Sequence, residues 1–131
     1  MQDNPLYDDV VLDVYDFLDD QINRLNGQGI ARNCIIADPG IGFGKTMAHN
    51  LALLNKISLF HSLGVPLLLG VSRKGFIGKI TQENVAEGRV IGSVSAALTG
   101  VSQGVQIFRV HDVRETRQAF DMWQTIMFGI K

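Results

Sequence analysis

Apolar residues recur every three to four positions between residues 7 and 25, at Val10, Val11, Val14, Phe17, Leu18, Ile22 and Leu25. That period predicts an amphipathic helix, which Gly27 and Gly29 end. The run Cys34-Ile35-Ile36-Ala37 stops at Asp38-Pro39-Gly40 and reads as a buried strand delivering a turn. A second helix is expected over residues 48–63, from Leu51, Leu54, Ile57, Leu59 and Leu63, with Gly64-Val65-Pro66 behind it. Leu67-Leu68-Leu69-Gly70-Val71 is apolar throughout, as in a strand covered on both faces, and it runs into Ser72-Arg73-Lys74-Gly75. Over residues 87–103, small residues (Gly92, Ser93, Ser95, Ala96, Ala97, Gly100) mix with Val90, Ile91, Val94, Leu98 and Val101, the composition of a closely packed helix. A third strand, Gln106-Ile107-Phe108-Arg109-Val110, leads to His111-Asp112. Asp112 with Glu115 predicts a capping box that opens a last helix to about residue 127, with Met122, Trp123, Ile126 and Met127 as its packing stripe.

Strands starting near residues 34, 67 and 106, separated by helices, predict parallel pairing and an α/β fold in one domain over residues 1–131. Three such strands leave two open edges beside very apolar runs. The pattern therefore points to further strands from another polypeptide, or to a larger barrel or sheet of roughly 250 residues.

Composition narrows the classes of partner. The 131 residues carry 12 Lys+Arg against 13 Asp+Glu, a net charge of −1, with no basic run to follow a phosphate backbone, so nucleic-acid binding is not expected. The longest apolar run, residues 65–71 with Pro66 inside it, is far short of the ~20 residues that span a bilayer, and residues 1–5 lack a basic region before an apolar core. Membrane association is not expected. The single cysteine, Cys34, has no partner for an internal disulfide, which fits a reducing compartment such as the cytoplasm.

Each strand ends in a chemically distinctive cluster: Asp38-Pro39-Gly40-Ile41-Gly42-Phe43-Gly44-Lys45, then Ser72-Arg73-Lys74, then Arg109-Val110-His111-Asp112. In parallel α/β architectures these ends share the face where active sites form. Asp38 would project into the space the strand ends surround, or else cap the turn at Pro39. Glycines 40, 42 and 44 let backbone approach a ligand closely. Gly44-Lys45-Thr46 resembles the end of a phosphate-binding P-loop, but that motif places a glycine five residues before Gly44, where Pro39 stands without an N–H. Arg73 and Lys74 could face an anionic or carbonyl-bearing ligand, or form a solvated loop. Arg109 and His111, two apart on a strand, point to one face and could form an anion pocket. The alternative pairs Arg109 with Asp112 and leaves His111 filling a turn. His49 and His61 have no partner at metal-ligand spacing and read as helix-face residues.

Taken together, and in their order and separation, these three clusters resemble the dihydropteroate synthase family. Met1-Gln2-Asp3-Asn4-Pro5 is also similar to the end of that family's segment after its fifth barrel strand, so the resemblance covers the whole chain. The fold it implies is the C-terminal half of a (β/α)8 TIM barrel, strands six to eight with their helices. The activity it implies joins 6-hydroxymethyl-7,8-dihydropterin diphosphate to p-aminobenzoate, giving 7,8-dihydropteroate and diphosphate in folate biosynthesis. By the same resemblance, Asp38 would accept from the pterin amino and ring N–H groups, and Lys74 would donate to its carbonyl and ring nitrogen. Arg109 would stack on the pterin and, with His111, meet the leaving diphosphate, while Phe43 would pack on the p-aminobenzoate ring. Gly75 departs from the family pattern, in which many members carry a hydroxyl residue near the p-aminobenzoate carboxylate; its backbone N–H could serve instead, and a weaker hold on that substrate and its sulfonamide mimics is what the departure implies. The resemblance further implies a Mg2+ ion, with its ligand in the absent N-terminal half, and a homodimer at full length. A fragment inactive alone is expected. Two other readings are a non-catalytic pterin-binding or scaffold half-barrel that needs a partner chain, and a related methyltetrahydrofolate methyltransferase, against which the Ser-Arg-Lys and Arg-Val-His motifs argue.

Overall fold

The computed structural model describes residues 6–130, so what the sequence suggests for residues 1–5 lies outside the described residues. Helix α1, Val10–Gly27, starts where the Asp9 carboxylate accepts from the N–H groups of Val11 and Leu12 at 3.0 and 3.2 Å. A short acidic side chain thereby satisfies donors that a first helical turn leaves unpaired. Val10, Val11, Val14 and Ile22 are its buried face, and the predicted Phe17 lies outside it.

The expected strand at residues 34–37 is much reduced. Arg32–Cys34 is a 3-10 turn, and Ala37 forms one isolated parallel bridge with Leu67. Ile35 and Ala37 are buried while Ile36 is 54% exposed, so one face of this segment is covered and the other is not. The three-stranded sheet is accordingly corrected to two short parallel strands, β1 (Leu68–Leu69) and β2 (Ile107–Phe108), with the Ala37 bridge beside β1.

The helix expected over residues 48–63 is also divided. Helix α2 covers Met47–Asn55 and gives way to a 3-10 helix, Ile57–Leu63. The cause is the Gln103 side chain, which donates to the Leu54 carbonyl at 2.8 Å and accepts from the Ser58 N–H at 3.0 Å. Those two backbone groups are the ones an unbroken α-helix would join to each other, and an inserted side chain breaks such a ladder. Helix α2 opens on an unpredicted capping box: Thr46 Oγ accepts from His49 N–H at 3.2 Å, and His49 Nδ1 accepts from Thr46 N–H at 3.0 Å. His49 also packs edge-on against Tyr7 at 4.8 Å.

Helix α3, Gly75–Thr81, follows the Ser-Arg-Lys cluster and was not foreseen. Its two glycines hide the helical spacing of Phe76, Ile77 and Ile80. A 3-10 turn at Ala86–Arg89 then leads into α4, Val90–Ser102, whose small side buries Ser93, Ala97 and Gly100 as expected. Helix α5 covers Val113–Phe128. Asp112 is its N-cap residue, yet its carboxylate makes no capping bond: both oxygens go to Arg73, so the predicted capping box with Glu115 does not form. A paired guanidinium and carboxylate outcompetes neutral backbone donors. Phe120 meets Phe108 edge-on at 4.8 Å, whereas Met122, Ile126 and Met127 are exposed and Trp123 leans on Phe128 at 5.8 Å. The predicted packing stripe of the last helix therefore faces outward.

Phe60, Ile41, Leu53, Ile57, Leu67, Leu69 and Val71 are the most deeply buried side chains and form the centre of the core between α1, α2 and β1. Helix α4 closes on the two strands at Gly100, where a Cβ would lie 2.7 Å from Leu69 Cδ2 and 3.0 Å from Phe108 Cε1. Leu69 is 1% exposed and has nowhere to retreat. Overpacking of about 1–3 kcal/mol outweighs the gain in helix propensity of about 1 kcal/mol. Gly100→Ala is therefore expected to destabilise the chain by about 1 kcal/mol, read as a lower urea midpoint, and an unchanged or higher midpoint would refute the close approach.

Candidate active site

The parallel register sets the site. Leu68 pairs with Ile107 and Leu69 with Phe108, so the polar segments that follow β1 and β2 emerge side by side. Ser72 Oγ accepts from the backbone N–H of His111 at 3.1 Å and lies 2.8 Å from His111 Nδ1. Because the hydroxyl already accepts from that N–H, its own hydrogen is free for Nδ1. When it donates there, the ring carries its hydrogen on Nε2.

Lys74, Arg109 and His111 line one cavity of about 220 Å3, together with Gly70, Ser72 and Val110. The Arg109 guanidinium lies over the bare backbone of Gly70, where a Cβ would come within 3.3 Å of it. A second cavity, about 350 Å3, lies on the other side of Lys74 and is lined by Gly42, Phe43, Lys45, Met47, Asn50, Gly75, Phe76 and Lys79. The Lys74 ammonium stands 4.6 Å over the Phe43 ring and donates to the Ile41 carbonyl. The wall between the cavities is thus a lysine held by a carbonyl and an aromatic face.

The glycine-rich loop is built around these cations. Buried Asn50 accepts from Gly42 N–H at 2.8 Å, and Lys45 donates to the carbonyls of Gly40 and Phe43 at 2.8 and 2.9 Å. Gly42 has φ +87°, and a Cβ there would lie 2.9 Å from Lys74 Cδ. Asp38 accepts from Gly40 N–H at 2.8 Å and lines a separate cavity of about 470 Å3 with Tyr7, Phe17, Pro39 and Lys45. It does not touch Lys74, but its charge reaches both lysines. Burial pushes the Lys74 and Lys45 ammonium groups below the ordinary lysine value; Asp38 opposes the shift in both, while Arg109 and Lys45 add to it at Lys74.

Among the sequence candidates, Lys74, Arg109 and His111 come together, Lys74 also joins Phe43 and Gly75, and Asp38 sits apart with an electrostatic link. Arg73 leaves the site altogether: it forms a bidentate pair with Asp112 at 2.7 and 3.1 Å. The alternative Arg109–Asp112 pairing is therefore excluded. Lys45, Asn50 and Lys79 were not singled out, although the Gly-Lys-Thr sequence already marked Lys45. His61 is tied to the Gln103 carbonyl at 2.7 Å, away from the site. Among the described residues no three His, Cys, Asp or Glu side chains converge as a metal-ligand set. No described helix is long and apolar enough to cross a membrane.

Parallel strands whose carboxyl ends gather a lysine, an arginine, an imidazole and an aromatic ring define an α/β protein with a cationic cluster beside two cavities. The profile of the pterin binding enzyme family matches residues 1–111, and the chain belongs to that family. The dihydropteroate synthase of Neisseria meningitidis serogroup B is 47% identical over 129 residues, which is 96% of this chain and 45% of that protein. The dihydropteroate synthase of Xanthomonas albilineans in complex with 7,8-dihydropteroate superposes with a TM-score of 0.93 at 43% identity, over 95% of this chain and 47% of that one. Its structure with 4-aminobenzoic acid gives a TM-score of 0.94 at 43% identity, over 96% of this chain and 46% of that one. The chain thus spans a little under half the length of the relatives it matches.

Three outcomes follow from the geometry. Lysines whose folded values lie below the unfolded 10.5 bind fewer protons folded than unfolded, so stability rises with pH through the window just below 10.5. Asp38→Asn, which keeps the acceptor for Gly40 N–H, should move the titration of both lysines further down, as read by side-chain NMR; an unchanged or upward titration would contradict the proposed coupling. Gly42→Ala should displace Lys74 from its carbonyl and ring, visible as loss of the ring-current shift on the Lys74 side chain, and a retained shift would contradict the contact.

Proposed function

We propose that residues 1–131 supply the C-terminal part of a dihydropteroate synthase barrel, strands six to eight with their helices, and carry the half-sites for a dihydropterin diphosphate and p-aminobenzoate. The observation that carries this reading is Lys74 standing between two cavities, one with Arg109 and His111 and the other with Phe43 and Gly75. A methylene carbon placed at that wall would have its anionic leaving group on one side and the incoming ring on the other. Complexes of the X. albilineans relative with 7,8-dihydropteroate and with 4-aminobenzoic acid support the ligand classes.

In the proposed reaction the C–O bond of the pterin methylene breaks, and its electron pair leaves with diphosphate. The arylamine nitrogen then forms the C–N bond and gives up one proton to solvent. Lys74, Arg109 and the His111 Nε2–H meet the charge that develops on the leaving group, an electrostatic contribution that commonly dominates such steps. Arg109 presents a planar guanidinium to the pterin face, and Phe43 a ring face to p-aminobenzoate. Asp38 faces the pterin N–H donors. The N–H of Gly75 serves the p-aminobenzoate carboxylate. A Mg2+ ion belongs, in this reading, to the part of the relatives' length that the chain does not span.

The cavities of about 220 and 350 Å3 lie below or near the lower end of the ~300–1,000 Å3 typical of complete ligand sites. That favours a second reading beside the first: the chain alone binds without turnover and reacts when a partner chain completes the barrel. Both substrates should give no dihydropteroate with the isolated chain. Turnover is expected when the chain is co-expressed with the N-terminal half of a related dihydropteroate synthase. In that complex Lys74→Ala or Arg109→Ala should cost orders of magnitude in kcat/KM. Near-normal turnover in both variants would overturn the assigned roles.

A further inference from the structure

The pairing of β1 with β2 does not end where their backbone hydrogen bonds end. Leu68–Ile107 and Leu69–Phe108 pair in parallel register, and Ser72–His111 and Arg73–Asp112 continue the same offset of 39 residues through side chains. The last of these rungs is the most constrained. Arg73 has φ +57°, a conformation that costs a non-glycine residue about 1 kcal/mol and persists only when its surroundings hold it. Three contacts do so: its N–H donates to Ser93 Oγ at 2.7 Å, its carbonyl accepts from Arg89 at 2.9 Å, and its guanidinium grips both oxygens of Asp112. Ser93 is buried, and the side chains of Arg73 and Asp112 are 25% and 13% exposed, so the pair is only partly screened by water. Neither Arg73 nor Asp112 lines the two cavities at Lys74, yet each adjoins a residue that does, Lys74 and His111.

We propose that the Arg73–Asp112 pair is a positioning device that fixes Lys74 and His111 relative to each other, so that the ammonium and the Nε2–H face one anion. The left-handed turn at Arg73 sends its own side chain towards α5 and leaves Lys74 on the cavity side. Asp112, held from across the strand ends, keeps the His111 backbone where its N–H can reach Ser72 and where Ser72 can donate to Nδ1. The pair thereby sets an imidazole tautomer as well as a distance. The anion in question rests on the diphosphate reading above; the tautomer does not.

The test uses the full chain and its Asp112→Asn and Arg73→Lys variants, the second of which keeps the charge but loses the bidentate fork. Nitrogen-15 spectra of the histidine rings, with the His111 signals assigned from His111→Gln, report the tautomer, and titration with inorganic pyrophosphate reports the anion site. Wild-type His111 should show a protonated Nε2 and an unprotonated Nδ1 at neutral pH. Both variants should average the two nitrogens, and the affinity for pyrophosphate should fall about tenfold. Asp112→Glu, which restores the carboxylate, should recover part of both. A purely structural pair would lower the melting temperature while leaving the folded variants' tautomer fixed and their affinity within twofold, and that result would overturn the proposal. If Asp112→Asn fails to fold, Arg73→Lys decides by the same two readouts. A wild-type chain that takes up no pyrophosphate removes the functional reading, while the imidazole spectra still decide the clamp.

Discussion

The register of two very short parallel strands governs this structure. The N–H groups of Ile107 and Arg109 donate to the carbonyls of Leu67 and Leu69 at 3.1 Å, and the N–H of Leu68 donates to Ala37 at 2.8 Å. A slip of one residue in any of these pairings would exchange inward and outward side chains along the segment. Arg109 would then leave Gly70, and His111 would leave Ser72. The register is held by more than backbone bonds: Gly100 brings α4 against Leu69 and Phe108 together, and the Gln106 side chain accepts from Leu67 N–H at 2.9 Å. Packing that reads both strands at once makes two-residue strands sufficient.

Around that frame the charges are arranged at a cost to the folded chain. Lys74 and Lys45 are pulled partly out of water and answered by one nearby carboxylate, Asp38, with Arg109 adding a like charge to Lys74. Each ammonium instead finds carbonyls of the glycine loop, which exposes them through positive φ at Gly40, Gly42 and Gly44. Such a cluster favours an arriving anion, because the anion supplies the countercharge that the protein withholds. The Arg73–Asp112 pair is the opposite case: an arginine within the same motif, neutralised and withdrawn from the cavity. Adjacent basic residues thus divide into one that lines both cavities and one that is paired away from them.

Much of this was legible in the sequence, and the gaps have physical causes. The alternation of helices with apolar runs gave the α/β order, and the second and third clusters contain Lys74, Arg109 and His111, which line one cavity, whereas Asp38 of the first lines another. What failed were inferences that needed tertiary partners. Residues 48–63 keep a helical apolar period, but Gln103 enters from another element to break the ladder. Asp112 with Glu115 satisfies the local rule for a capping box, but a guanidinium 39 residues away takes the carboxylate. Helix α3 is hidden by its glycines, and the exposure of Ile36 is hidden because an apolar run does not disclose which of its faces finds a neighbour.

The exposed apolar residues bear on the same point. Ile36, Met122, Ile126, Met127 and Phe128 are each more than half exposed, and among the described residues the only partner of β2 is β1. Scattered exposed apolar side chains are ordinary, but here they accompany an open strand edge, where unpaired N–H and carbonyl groups invite another strand. The chain spans 45–47% of the relatives compared above, and its cavities at Lys74 measure about 220 and 350 Å3. The site's positioning is nonetheless local. Its register, its lysine wall and its side-chain rungs all lie within these residues, so the placement of Lys74, Arg109 and His111 relative to one another is set by contacts inside the chain.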